Sequence, residues 1–404
     1  MHDPSRVRVS GPLEVFAAGF VAELARLGYR RTPATFQLQL MAHASRWLHG
    51  EGFGVEEFTS EVVERFLAGR RAAGYTNYVT ARAMAPLLSY LRGLGVVPSA
   101  SPRVAVGTVE VLLAEYREYL AVERGLTRDT IEGYALAVRP FLDCRLRDGD
   151  ELDLGGIAAA DVVAFVVDRC PAQSRGAAKM TVTGLRSLLG FLHLRDLVAG
   201  PLADAVPSTA SWRLSGLPRA LEPEQLGALL GSCDRASAIG RRDFAVLVML
   251  ARLGLRRGEV AALKLEDVDW RVGEFVIAGK GRRGERLPLP SDVGEAIVAY
   301  LRDGRPVTAL DRSLIVRVRA PHCGLTGGGI TQIVFAAAKR AGLGPIHSHR
   351  LRHTAATQML RAGASLEEIG QVLRHRQVLT TAIYAKVDRD ALRQLARPWP
   401  ETES

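Results

Sequence analysis

The sequence predicts a mainly α-helical protein with a small antiparallel β-sheet in its C-terminal domain. Three observations carry that expectation. Apolar residues recur at three- and four-residue spacing through most of residues 11–206, the mark of helices with one buried face. The same four-helix plan is written twice, about a hundred residues apart. In LEDVDWRVGEFVIAGKGRRGERLPLP the helical period gives way to short runs of strand formers separated by turn residues.

Residues 1–100 form the first predicted module. LEVFAAGFVAELARLG and TFQLQLMAHASRWL supply two helices, and Thr59 or Ser60 caps a third, EVVERFLAGRRAAG. The fourth, VTARAMAPLLSYLRGLG, ends at Gly95, with Pro86 either kinking it or marking its start. Residues 101–206 repeat the plan: EVLLAEYREYLAVERG, TIEGYALAVRPFL with its cap in Thr127–Asp129, ADVVAFVVDRC, and AKMTVTGLRSLLGFLHLRD. Thr35 aligns with Thr130, Val62-Val63 with Val162-Val163, and Leu87, Leu88 and Leu91 with Leu188, Leu189 and Leu192. The Pro/Ser/Gly-rich stretch 207–218, PSTASWRLSGLP, reads as a linker. The final domain, 219–404, opens with LEPEQLGALLGSC, in which Pro223 suits a first helical turn. RRDFAVLVMLARLG is apolar nearly all round and predicts a buried central helix. Trp270, Phe275, Val276 and Ile277 predict strand–turn–strand, and GKGRRGER a basic turn. SDVGEAIVAYLRDG, TQIVFAAAKRAG and a short last helix in DRDALRQLARP follow. GLTGGG is not a phosphate-binding P-loop, because no Gly-Lys-Ser/Thr follows it.

Of 404 residues, 53 are Lys or Arg and 43 Asp or Glu, a net charge of +10. The surplus is regional: 11 basic and 8 acidic residues in 1–100, 13 and 15 in 101–217, 29 and 20 in 218–404. A cationic last domain points to a phosphate-rich partner. GC-rich coding would explain the excess of Arg over Lys, but not its confinement to one domain. No apolar run reaches the 18 or more residues of a membrane span. The start, MHDPSRVRVSG, lacks the apolar stretch of a signal peptide. Cys144, Cys170, Cys233 and Cys323 show no paired spacing, which predicts reduced thiols and a cytoplasmic setting.

The densest chemistry lies in His347–Val387. His349 and Arg352 are three apart on one predicted helix and share a face. Gly363 ends that helix, and Ser365 with Glu368 forms a capping box that opens the next. His375 falls just past it, and Tyr384 follows nine residues on. His347, His349 and His353 lack a cysteine or carboxylate at ligand spacing, so no metal site is predicted, and His353 is expected to support the active site or to be a satisfied core histidine.

These residues resemble the tyrosine site-specific recombinases, the phage integrase family. HRLRH matches that family's H-x-x-R-H box, LRH its second histidine, and the tyrosine stands at the family's distance. LGLRRGEVAALKLEDV matches the first arginine box, giving Arg256 and Glu259; FVIAGKGRRGERLPLP matches the β-hairpin lysine, giving Lys280. One position departs: Arg374 stands where the family commonly has Gly. The resemblance covers about residues 218–395 and implies a catalytic set of Arg256, Lys280, His349, Arg352, His375 and the nucleophile Tyr384. It further implies that residues 101–206 are a SAM-like core-binding domain closing over double-stranded DNA, that the enzyme works as a homotetramer through exchange of C-terminal tails (Asp388 and Leu392 here), and that sister recombinases can assist. The first module then resembles added arm- or partner-binding modules; the other reading is a structural or protein-contact domain, and exposed Arg30, Arg31, Arg70 and Arg71 would favour DNA.

The residue types suit that chemistry on their own terms. A free tyrosine has a pKa of about 10 and needs a base and cations to attack. Two guanidinium groups can each donate paired hydrogen bonds to a phosphate that gains charge. His349 is fitted to take the phenolic proton or hold the phosphate, His375 to donate to the phosphate, and Lys280 to protonate the leaving 5′-oxygen. No metal or ATP is required, since the arginines do the work of Mg²⁺ and a 3′-phosphotyrosine keeps the bond energy. Further DNA contacts are expected at Lys179, Arg186, Arg282, Arg283, Arg286, Thr331 and Gln332. The expected activity is strand cleavage and rejoining during integration, excision or transposition of a mobile element. The alternatives are topoisomerase-like relaxation and a DNA-binding accessory protein with a vestigial site.

Overall fold

A computed structural model describes residues 3–98, 107–147, 151–208, 220–278 and 284–374, together with 381 and 384. The described part is mainly helical, with two small antiparallel sheets.

The first module holds α1 (Ala17–Arg26), α2 (Arg31–Glu51), α3 (Ser60–Ala72) and α4 (Ala81–Gly93). Thr59 is the cap of α3, its hydroxyl accepting from the Val62 N–H. Pro86 lies inside α4 rather than at its start. The second module repeats the count with α5 (Thr108–Val122), α6 (Arg128–Asp143), α7 (Ala159–Arg169) and α8 (Arg175–Leu194), plus a minimal hairpin of β1 (Leu146–Arg147) and β2 (Glu151–Leu152). Each module has its own apolar core. Leu87, Leu88 and Leu91 are buried in one and Leu188, Leu189 and Leu192 in the other, as the aligned repeat predicts. The valine pair does not keep register: Val63 is buried in α3, whereas Val162 is buried and Val163 exposed in α7.

Residues Met1–Ala100 and Leu214–Ser404 pack as one compact unit, and Ser101–Arg213 as another. Within the first unit the His322 N–H donates to the Leu27 carbonyl at 3.3 Å, and the His322 ring lies against Gly28.

The C-terminal part contains α9 (Pro223–Gly231), α10 (Ala238–Arg252), α11 (Arg257–Ala262), β3 (Val268–Asp269), β4 (Glu274–Ala278), β5 (Gly284–Pro288), α12 (Ser291–Asp303), α13 (Gly327–Arg340), α14 (Ser348–Arg361) and α15 (Leu366–Val372). Helix α10 is the axis of its core: Ala245 to Ala251 are all buried, against α12, α13 and α14. Each such large apolar side chain contributes roughly 1.5–3 kcal/mol on burial, so this run fixes the helix on which the Arg256 turn is mounted. Strands β3, β4 and β5 form an antiparallel meander in which Val276 faces Arg286 across the ladder. Trp270 lies in the turn beyond β3 and is 46 % exposed, so it is not a strand residue. Of the glycines in GLTGGG, Gly324 precedes the helix, whereas Gly327–Gly329 form the first turn of α13, capped by the Thr326 hydroxyl.

Candidate functional site

Three local devices bring the site together. The capping box predicted at Ser365 is present, with the Ser365 hydroxyl accepting from the Glu368 N–H and the Glu368 carboxylate accepting from the Ser365 N–H. It starts α15, which returns the chain to α14. Gly370 in α15 has no side chain, which lets Thr381 pack against the helix; a Cβ there would lie 3.1 Å from the Thr381 hydroxyl. Tyr384 is then buried in a small core with Ala356, Ile369 and Leu373.

Arg352 occupies the middle of α14 and is only 2 % exposed. Its Nη1 donates to the Gly254 carbonyl at 2.5 Å and its Nη2 to the Leu373 carbonyl. Gly254 has φ +58 and faces Leu373 closely, so a side chain would strain this turn twice over. Burial and the Arg256 charge lower the Arg352 pKa to about 10, so it remains a cation at neutral pH.

Arg256 precedes α11, where Glu259 accepts from its backbone N–H at 2.7 Å and from its Nη1 at 2.6 Å. Its Nη2 donates to the Arg374 carbonyl at 3.2 Å. Burial raises the Glu259 pKa, but the hydrogen bond from the Arg256 N–H and the charges of Arg374 and Arg256 outweigh it, so the carboxylate stays ionised.

The Tyr384 hydroxyl lies 2.8 Å from His353 Nδ1 and is 1 % exposed as a residue. Burial pushes its pKa up to about 12, opposed by the Arg352 charge, so the resting nucleophile is protonated. His353 is held down to about 4 by burial, by His349 and by Arg352. It is therefore neutral, with a ring nitrogen in reach of the phenol. His349 stacks edge-on against His353 with ring centroids 4.5 Å apart, and burial and the two arginines lower its pKa as well.

Arg256, His349, Arg352 and Tyr384 are thus gathered around α14. Lys280, Arg282, Arg283 and His375, with Asp388 and Leu392, lie outside the described residues. His353, expected either to support the active site or to be a satisfied core histidine, stands inside the site against the Tyr384 hydroxyl. Its four-residue spacing from His349 puts it on the same helical face. Among the expected DNA contacts, Lys179, Arg286 and Gln332 are exposed. Some already have partners. Arg186 Nη2 donates to the Val206 carbonyl at 2.7 Å, Arg286 pairs with Glu274 at 2.9 Å, and Thr331 accepts from Arg257 at 3.2 Å. In the first module Arg30, Arg31 and Arg71 are exposed, Arg71 also donating to the Val79 carbonyl, while the half-buried Arg70 stacks on Tyr75. No described helix is long and apolar enough to cross a membrane.

Residues 219–390 match the phage integrase family. A protein of Sinorhizobium fredii named integrase/recombinase y4rA is 41 % identical over 397 residues, covering 96 % of this chain and 95 % of its own. Tyrosine recombinase XerC of Oceanobacillus iheyensis is 31 % identical over 296 residues, covering 71 % and 94 %. Among solved structures, XerH site-specific recombinase in a post-cleavage complex with a palindromic difH substrate shares the fold with TM-score 0.57 at 18 % identity, over 84 % of this chain and 95 % of that one. A lambda integrase tetramer on a Holliday junction gives 0.54 at 16 %, over 79 % and 88 %. The chain belongs to the phage integrase family and is a tyrosine site-specific recombinase.

Proposed function

We propose that this recombinase cuts and rejoins double-stranded DNA through a 3′-phosphotyrosine at Tyr384, acting as a tetramer to move a mobile element by integration, excision or transposition. The observation that carries the reading is the buried phenol of Tyr384, 2.8 Å from the neutral His353 and within the field of Arg352. A phenol at pKa about 12 needs its proton removed as the oxygen attacks, and His353 or His349 supplies the base. Arg256 and Arg352 then stabilise the charge that builds on the phosphate, each such donor being worth roughly 3–4 kcal/mol in the transition state. Lys280 protonates the departing 5′-oxygen and His375 donates to the phosphate. The phosphotyrosine retains the bond energy, so a second 5′-hydroxyl reverses the step without ATP or metal.

The DNA-bound state of the XerH neighbour and the tetramer of lambda integrase support DNA as the partner and a four-protomer assembly. In that assembly both residues 101–206 and residues 219–404 contact the duplex, and Asp388 and Leu392, which lie outside the described residues, are the proposed contacts to a neighbouring protomer. The enzyme works where its DNA is, which we take to be the cytoplasm. Incubation with nicked duplexes spanning the DNA beside its own gene should give a covalent protein–DNA adduct. Tyr384→Phe should abolish that adduct while the protein remains folded; an adduct that persists in this variant assigns the nucleophile elsewhere.

A further inference from the structure

Arg374 occupies a place that costs the backbone something. It follows the C-terminus of α15 with φ +55, one of three non-glycine residues at positive φ among those described. A left-handed residue at this point of a helix end is usually Gly, and a residue with a Cβ gives up roughly 1–2 kcal/mol there. The side chain is not left in solvent to offset this: it is 7 % exposed. Its Nη2 pairs with Glu259 at 2.7 Å, its Nη1 donates to the Val372 carbonyl at 3.0 Å, and its buried Nε lies 3.8 Å from Glu285 on β5.

The partner that matters is Glu259. Its Oε1 accepts from Arg256, while its Oε2 is shared by the Arg256 backbone N–H and Arg374 Nη2. With Arg256 alone, Glu259 would make a closed, neutral ion pair. A neutral pair attracts a phosphate poorly, because the carboxylate repels the oxygens that the guanidinium draws in. With Arg374 present the three groups sum to +1. The Arg374 carbonyl also receives Arg256 Nη2, so one residue both positions that guanidinium and offsets its counter-ion.

We propose that Arg374 is a positioning residue for strand cleavage: by sharing Glu259 it leaves the charge of Arg256 available to the scissile phosphate, and through Glu285 it ties the β4–β5 hairpin to the same spot. The inference rests on the recombinase reading above. It does not require Arg374 to touch DNA.

The test uses the full-length protein and the same nicked duplexes, with single-turnover adduct formation, duplex affinity and thermal unfolding measured side by side. Arg374→Gly restores the easier backbone. It should leave affinity within about twofold and unfolding nearly unchanged, yet slow adduct formation by roughly tenfold or more. Adding Glu259→Gln to Arg374→Gly removes the competing charge and should recover part of that rate, a coupling that a purely structural role would not give. Arg374→Asn, which tolerates positive φ, repeats the measurement if the Gly variant proves unstable. An Arg374→Gly enzyme that cleaves as fast as wild type overturns the inference, as does a double variant no faster than the single one. A wild-type chain that makes no adduct overturns the recombinase reading, and this inference with it.

Discussion

The site has two halves, and they hold their arginines by opposite means. On the α14 side, Arg352 is buried and satisfied by two backbone carbonyls, with no carboxylate among its hydrogen-bond partners in the described residues. On the α11 side, Arg256 has a side chain 48 % exposed and bound to Glu259. The first arrangement keeps a full positive charge in place at the expense of burying it. The second is inexpensive to fold but muffles the charge with a counter-ion. Arg352 is therefore part of the fold as much as of the chemistry, whereas Arg256 can be altered with the scaffold intact.

Deletion of each side chain should separate the halves. Arg352→Ala strands the Gly254 and Leu373 carbonyls in the interior, each an unmet acceptor costing about 1–3 kcal/mol. We expect a loss of roughly 3–5 kcal/mol in urea unfolding along with all adduct formation. Arg256→Ala removes a half-exposed ion pair, so stability should stay within about 1 kcal/mol. Its adduct rate should nonetheless fall by roughly 10²–10³. Equal stability for the two variants would dissolve the distinction.

That contrast was only partly legible in the sequence. Both arginines, both α14 histidines and Tyr384 stand in short motifs, and the capping box at Ser365 is a local rule confined to four residues. What closes around them is not local. The Gly254 carbonyl is 98 residues from Arg352, and Arg374 is 115 from Glu259. No periodicity encodes such pairs, so the burial of Arg352 could not be read ahead of the fold. The partners of Thr331 and Arg186 were hidden for the same reason. Nothing local in the sequence shows that Arg257, or the carbonyl of Val206, is brought up to them.

The buried half also makes a pH prediction. His353, held at about 4, refuses a proton that the unfolded chain accepts below about 6.5. The stability this lends is complete above pH 6.5 and is lost as the pH falls toward 4, since the unfolded state then binds the extra proton. Wild type should lose stability over that window more steeply than His353→Gln, by up to about one proton per molecule. Parallel curves would mean that His353 is as solvated in the fold as it is outside it. The adduct rate of His353→Gln, measured at neutral pH, tells further whether this imidazole or His349 takes the phenolic proton.

The smallest effect probes what joins the halves. Helix α15 ends at the turn whose two carbonyls, Leu373 and Arg374, receive Arg352 and Arg256 respectively. Its start depends on the Ser365 cap. Ser365→Ala should cost about 1 kcal/mol, the usual worth of such a cap. If the turn is held mainly from its far end, by the two arginines and the Arg374–Glu259 pair, adduct formation should change by less than about twofold, since the cap then acts on stability alone. A drop in cleavage much larger than the drop in stability would mean that the placement of α15 is set from its first turn, and that both arginines take their positions from the cap.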